Sequence, residues 1–194
     1  TGGILLSGGE GTRLFPTTKY INKHLIPIYD KPMIYYSLSI LLLSGLRNIT
    51  LVCSKKDQDK FKALLGNGEE FGVDLKYSIQ NKPEGIPHGI SMALEENSYD
   101  KFITVLGDNF IFGDKFFTKL EGIFDETEKC SIFSQVVKNP ESFGVVDVDL
   151  DNNILEIIEK PNKFVSNKAI IGLYIFNSDF ISHFENIKKS KRQE

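Results

Sequence analysis

Near the start of the chain, three glycines, a hydroxyl and an arginine follow directly on a short apolar run: Leu5-Leu6-Ser7-Gly8-Gly9-Glu10-Gly11-Thr12-Arg13-Leu14. Glycine lets backbone approach a ligand closely. Successive free N–H groups in such a turn form a concavity suited to anions. Arg13 adds a planar, permanently charged fork that matches phosphate. Lys23 follows within Asn22-Lys23-His24-Leu25 and supplies a second cation. The stretch reads as a triphosphate cradle of backbone amides and two cations. It is not a Walker A loop, because no Gly-Lys-Ser/Thr closes it. It is not the dinucleotide fingerprint either, because Leu14 stands where the third glycine would fall.

The elements that must position this loop follow from the pattern around it. Ile4–Leu6 reads as a buried strand. A helix is predicted from Pro32 to about Leu43, a strand over Asn48–Cys53, and a helix ending near Leu65. Ser54 with Asp57 resembles a capping box at the start of that second helix. Strands over Val73–Ile79 and Lys101–Leu106 follow, with a helix from about Pro87 to Glu96 between them. A further helix runs from near Asp114 to about Phe124. Strict alternation of strand and helix predicts a parallel sheet with helices on both faces. From Cys130 the pattern turns to strands: Cys130–Val137, Gly144–Asp149, Ile154–Ile158 and Ala169–Phe176, with a hairpin turn at Asp151-Asn152-Asn153 and a short helix from Ser178. No linker divides the 194 residues, so a single domain is expected, with a nucleotide-binding half (1–128) and a β-rich sugar-binding half (129–194).

In an open parallel sheet, ligands bind at the carboxyl ends of the strands. Three polar loops fall there: the glycine-rich loop, Gln80 to His88, and Gly107-Asp108-Asn109. Asp108 leaves an apolar strand beside a glycine. It suits Mg²⁺, which takes one or two carboxylates plus phosphate oxygens, or serves as a turn aspartate. Gln80 can offer a donor and an acceptor to a base edge, and Gly85 would let backbone approach that base; simple turn chemistry is the slightly better account of each from the sequence alone. His88 reads as a hydrogen-bonding residue, because no Ser or Cys nucleophile motif accompanies it. Glu159-Lys160-Pro161 could hold sugar hydroxyls and a sugar phosphate, or be an exposed turn pair. Asp147, Asp149 and Asp151 alternate and read as one solvated strand face. The Tyr and Phe residues read mainly as core.

Composition narrows the function classes. Lys and Arg number 23 against 26 Asp and Glu, a net charge of −3, which excludes a generally basic nucleic-acid surface. Cys53 and Cys130 each sit in an apolar run and read as buried free thiols. The longest apolar run, Leu38 to Leu43, is too short to span a bilayer. With no signal peptide in view, a reduced cytoplasmic protein is the expectation, and Thr1 is consistent with removal of an initiator Met. Lys188 to Glu194 is a charged stretch with no closing element and reads as a loop cut short.

These motifs together resemble the sugar-1-phosphate nucleotidylyltransferases. The resemblance is carried by Gly8 to Leu14, Pro16-x-Thr18, Lys23 and Pro27-Ile28-Tyr29-Asp30-Lys31-Pro32. Further along it is carried by Gly66-Asn67-Gly68, Pro83-Glu84-Gly85, Leu106-Gly107-Asp108-Asn109, Phe143-Gly144-Val145-Val146, Glu159-Lys160-Pro161 and Gly172-Leu173-Tyr174. It covers essentially the whole chain in family order, and the thymidylyl-transferring branch matches best. It implies a Rossmann-like α/β fold with a mixed, mostly parallel sheet, and a C-terminal part that is β-rich and truncated. It also implies dTTP and glucose 1-phosphate as substrates, Mg²⁺ as cofactor, and a homo-oligomeric habit. Arg13 and Lys23 would act on the leaving pyrophosphate and phosphates. Leu6, Gly8, Gly9, Gly11, Thr12, Gln80 and Gly85 would hold the nucleotide. Asp108 would bind the metal. Gly144, Glu159, Lys160 and Tyr174 would hold the sugar and its phosphate, Lys160 with a catalytic share. Pro87-His88 and Phe143 depart from the Ala-Gln and Tyr common in that branch. The family's second metal-binding aspartate, in a downstream Trp-x-Asp-Thr-Gly stretch, is absent. A CTP- or UTP-using relative, or a sugar-nucleotide-binding module without catalysis, are the alternatives.

Overall fold

The first strand, β1 (Gly2–Leu6), is buried at all five residues and anchors the sheet. The structure, a computed structural model, describes residues 1–9, 11–82, 84–113 and 115–184. After β1, short 3-10 turns at Thr12–Leu14, Thr17–Lys19 and Lys23–Leu25 carry the chain to a two-residue ribbon, β2 (Pro27–Ile28) with β3 (Lys31–Pro32). Then come α1 (Met33–Leu43), β4 (Asn48–Cys53), α2 (Gln58–Leu65), β5 (Asp74–Ile79), α3 (Ile86–Glu96), β6 (Lys101–Leu106) and α4 (Phe116–Glu126). The remainder is β7 (Ser131–Val136), β8 (Gly144–Val148), β9 (Ile154–Glu159), β10 (Lys168–Asn177) and α5 (Asp179–Phe184). These elements agree with the sequence expectation to within two residues at most ends. The expected helix start at Asp114 and the charged stretch 188–194 lie outside the described residues.

The chain forms two compact units: Thr1–Cys130 with the chain from Ile175 onward, and Ser131–Tyr174. In the first unit, β5, β4, β1 and β6 lie side by side in that order, and each neighbouring pair is parallel. Side chains alternate between the faces of a strand, and β1 shows what each face meets. Gly3 lies against Leu41 of α1. On the other parity, Gly2 lies under the Tyr99 ring, and Ile4 and Leu6 share a core with Val52, Ile90, Ala93 and Phe102. Helix α1 therefore covers one face and α3 the other, as the alternation predicts. All four strands point the same way, so their carboxyl ends open on one edge of the sheet.

In the second unit, β8 and β9 form an antiparallel hairpin, with Gly144 opposite Glu159. Strand β10 adds antiparallel to β8 at Ala169 opposite Val145. The three alternating aspartates do not share a strand face. β8 ends at Val148, and Asp149 builds the turn. Its carboxylate accepts the backbone N–H groups of Asp151 (2.9 Å) and Asn153 (2.8 Å) and the Asn153 side-chain amide. A short acidic side chain that caps its own turn is more favourable there than in an extended strand.

Two other expectations change. Cys53 is buried, and burial pushes its thiol up to about 12. Cys130 is exposed, because it precedes β7 rather than lying within it. The aromatics divide as well. Phe61 and Phe102 are fully buried, whereas Phe15, Tyr20, Tyr29, Phe110, Phe112, Phe143 and Phe164 are exposed, all in turns and loops outside the strands and helices. Among the described residues no helix is long and apolar enough to cross a membrane.

Candidate functional site

The carboxyl edge of the first unit holds a cavity of about 380 Å³. Its walls are Leu6, Gly8, Gly9, Gly11 and Thr12 after β1, Lys23 and His24, Gln80 after β5, Gly85, Ile86 and Gly89 at the start of α3, and Leu106 and Asp108 after β6. Every nucleotide residue and the metal residue expected from the sequence lie in this wall. Arg13 does not: it is exposed on the adjoining 3-10 turn.

The loops are extensions of the sheet ladder. The Ser7 N–H and Oγ both donate to the Val52 carbonyl at 2.8 Å. The Gln80 N–H donates to the Cys53 carbonyl, and the Gly107 N–H to the Leu6 carbonyl at 2.7 Å. These bonds hold each loop at a fixed height above its strand. Two glycines are there for closeness. A Cβ on Gly8 would sit 2.7 Å from Gln80 Oε1. One on Gly107 would sit 2.9 Å from the Leu6 carbonyl oxygen and 2.8 Å from the His24 ring.

Gln80 is nine-tenths buried, and its Nε2 donates to His88 Nδ1 at 3.0 Å. That fixes the amide with Oε1 towards Gly8. His88 thus has the hydrogen-bonding role read from the sequence.

Lys23 and Asp108 form an ion pair at 2.5 Å. Partial burial works to raise the Asp108 carboxyl, but the hydrogen bond and charge of Lys23 outweigh it and hold the carboxyl below its ordinary value. Lys23 Nζ also lies where a Cβ on Gly9 would touch it, at 3.3 Å. One ammonium group therefore bridges the glycine loop and the end of β6.

Lys23 is placed by residues to which sequence reasoning gave no part in the site. Asn22 caps the turn that carries Lys23: its Oδ1 accepts the His24 N–H at 2.9 Å and the His24 Nδ1–H at 2.8 Å. Its Nδ2 donates to Asp57 Oδ2 at 2.9 Å. Asp57 is 2% exposed and also accepts Ser54 Oγ (2.8 Å) and Lys60 Nζ (3.1 Å). Burial alone would raise the Asp57 carboxyl, and these three donors bring it below its ordinary value. Ser54 and Asp57 therefore do not make a capping box: the Asp57 carboxylate turns away from the helix amides to tie α2 to the Lys23 turn. The His24 ring is sealed in, and burial followed by the Lys23 charge pushes it down to about 4. It is a neutral wedge between Lys23, Asp108 and Gly107. The Ser54-x-x-Asp57 spacing was the only sequence signal of this network.

Among the described residues no group of three or more His, Cys, Asp or Glu is poised to hold a metal. The donor set fits Mg²⁺ only in the form of one carboxylate, Asp108, completed by phosphate oxygens and water.

The four sugar-assigned residues gather in the second unit. A Cβ on Gly144 would lie 2.9 Å from Glu159 Oε2. Lys160 Nζ is 3.6 Å from Glu159 Oε1, and the Lys160 N–H donates to the Phe143 carbonyl. Lys160 adopts φ 46° just past the end of β9. The Tyr174 hydroxyl is pushed up by burial and then by the charge of Glu159.

A glycine loop, a lysine paired with a carboxylate, and a fixed amide line one cavity at the carboxyl edge of an α/β sheet. The family model for nucleotidyl transferases matches residues 2–194, and the chain belongs to that family. It is 40% identical over 192 residues to a glucose-1-phosphate thymidylyltransferase of Neisseria meningitidis, covering 99% of this chain and 67% of that protein. It is 39% identical to one of Mycolicibacterium smegmatis, covering 66% of it. The chain thus spans about two thirds of the length of these relatives. A solved Bacillus anthracis structure, provisionally described as a glucose-1-phosphate thymidylyltransferase in complex with sucrose, superposes with a TM-score of 0.88 at 34% identity. It is matched over 99% of this chain and 77% of its own. A UDP-glucose pyrophosphorylase bound to UDP-glucose shares the fold at TM-score 0.86 and 21% identity.

Proposed function

We propose that this chain transfers a thymidylyl group from dTTP to glucose 1-phosphate, giving dTDP-glucose and pyrophosphate. One observation carries the reading. The cavity brings the glycine loop, Lys23, Gln80, Gly85 and Asp108 to one sheet edge, in a chain 40% identical to proteins named for this reaction.

The chemistry follows from the side chains. A sugar-phosphate oxygen attacks the nucleotide α-phosphorus in line, and the bond to the bridging oxygen of pyrophosphate breaks. Catalysis is positioning and charge stabilisation. Loop amides of Gly8, Gly9, Gly11 and Thr12 take the phosphate chain. Leu6 and Gly89 floor the base, with Gln80 Oε1 accepting from its edge and Gly85 backbone alongside. Lys23 exchanges Asp108 for phosphate oxygens, and this frees the carboxylate. Asp108 would hold Mg²⁺ together with phosphate oxygens and water, and the ion would supply charge neutralisation on the phosphates. Arg13, exposed beside the loop, stabilises the departing pyrophosphate. Gly144, Glu159, Lys160 and Tyr174 hold the sugar and its phosphate.

The test is pyrophosphate release with glucose 1-phosphate and dTTP, UTP or CTP in turn. The reading expects dTTP to be turned over fastest. Equal rates with all three would remove the thymidylyl assignment. Binding of dTDP-glucose with no pyrophosphate release would favour a binding module.

A further inference from the structure

A second cavity, of about 460 Å³, backs onto the glycine loop. It shares Gly8, Gly9 and Gln80 with the first cavity, and its other walls come from the 3-10 turn region Thr18–Asn22, from Ser54–Asp57 with Lys60, and from Asn81. Its charge is one-sided. Lys19, Lys55, Lys56 and Lys60 face it, and among the described residues Asp57 brings the one carboxylate. That carboxylate is already committed to Asn22, Ser54 and Lys60. Among the described residues no ion pair holds Lys19, Lys55 or Lys56. The chain as a whole is acidic, at −3, so this concentration of ammonium groups in a concavity is local. Low-dielectric walls focus such a field and raise the local concentration of anions. The volume lies in the ordinary small-molecule range of roughly 300–1,000 Å³, more than a single orthophosphate needs.

We propose that this cavity is a second anion site that takes a condensed phosphate, either inorganic pyrophosphate or the phosphate tail of a nucleotide. It adjoins the nucleotide cavity along Gly8, Gly9 and Gln80 and takes its remaining walls from other residues. The lysines come from two separate segments, 19 on one side and 55, 56 and 60 on the other. A bound polyanion therefore ties the Lys19 turn to the start of α2 across the back of the loop. Tyr20, exposed on the cavity wall with Lys19 Nζ 5.5 Å from its ring centroid, offers a stacking face that only a nucleotide would use.

Calorimetric titration of the chain with inorganic pyrophosphate, and separately with dTTP in the absence of sugar phosphate, tests this. The variants are Lys55→Ala/Lys56→Ala, Lys19→Ala and Arg13→Ala; the lysines are exposed, and circular dichroism checks that each variant is folded. The expected result is a pyrophosphate-binding event that weakens at least tenfold in the double-lysine variant and in Lys19→Ala but persists in Arg13→Ala. Further loss of dTTP affinity at this event in Tyr20→Ala identifies the nucleotide tail as the preferred form; no change identifies pyrophosphate. A single event that Arg13→Ala abolishes and the lysine variants leave intact overturns the second site. No event sensitive to Lys19, Lys55 or Lys56 overturns it equally. The proposal rests on the family reading only for the choice of ligand. Its readout is binding, so loss of turnover and loss of this site are separable results.

Discussion

Lowering the pH should loosen this protein through one residue, His24. The ring is 1% exposed, sits between the Lys23 turn and Gly107, and is held neutral by burial and the neighbouring Lys23 charge, at about 4. In the unfolded chain the same imidazole takes a proton near its ordinary value of 6.5. Between those values the unfolded chain binds a proton that the folded chain refuses, so acid favours unfolding. The contribution is fully present above pH 6.5 and is lost as pH falls towards 4. At 1.36 kcal/mol per unit, the span from 6.5 to about 4 amounts to about 3 kcal/mol in all, of which about 2 kcal/mol is gone by pH 5. Urea unfolding between pH 7.5 and 5, followed by circular dichroism, reads this directly. His24→Asn should be less stable at pH 7.5 yet show a pH dependence flatter by about 2 kcal/mol over the same range. Equal slopes for the two proteins would refute the buried neutral histidine and, with it, the wedge that positions Lys23.

Three further outcomes follow from the same geometry. Gly107→Ala pushes a methyl group onto the Leu6 carbonyl and the His24 ring; it should cost about 1–3 kcal/mol of stability by urea unfolding. Gly8→Ala meets only the end of the Gln80 side chain; stability should hold, while dTTP affinity falls about tenfold by calorimetry as the amide is displaced. Arg13→Ala should leave the unfolding curve unchanged, because the residue is exposed on a turn, yet abolish pyrophosphate release; unchanged turnover would remove its leaving-group role.

Much of this was legible in the sequence because the signals were local. β1 ends where its apolar run breaks into glycine, and the strand–helix alternation left little choice but a parallel sheet with a loaded carboxyl edge. Gln80 and Asp108 could be placed by their position at strand ends alone. What could not be read were contacts between segments far apart in the chain. The Asn22–Asp57 bond joins residues 35 apart, and the Lys23–Asp108 pair joins residues 85 apart. The Ser54-x-x-Asp57 spacing was visible, but local propensity points such a carboxylate at helix amides, whereas tertiary packing supplied better donors. Cys130 and the loop aromatics were misplaced for a related reason. Apolar character shows what a side chain tolerates, and burial is decided by which element it falls on.

The most direct test of the central claim is a backbone amide shift map of the ¹⁵N-labelled chain on addition of dTTP with Mg²⁺. The account predicts shifts concentrated at Gly8, Gly9, Gly11, Thr12, Gln80, Gly85, Gly89 and Asp108. Shifts that spare these residues, or no shifts at saturating nucleotide, would contradict it.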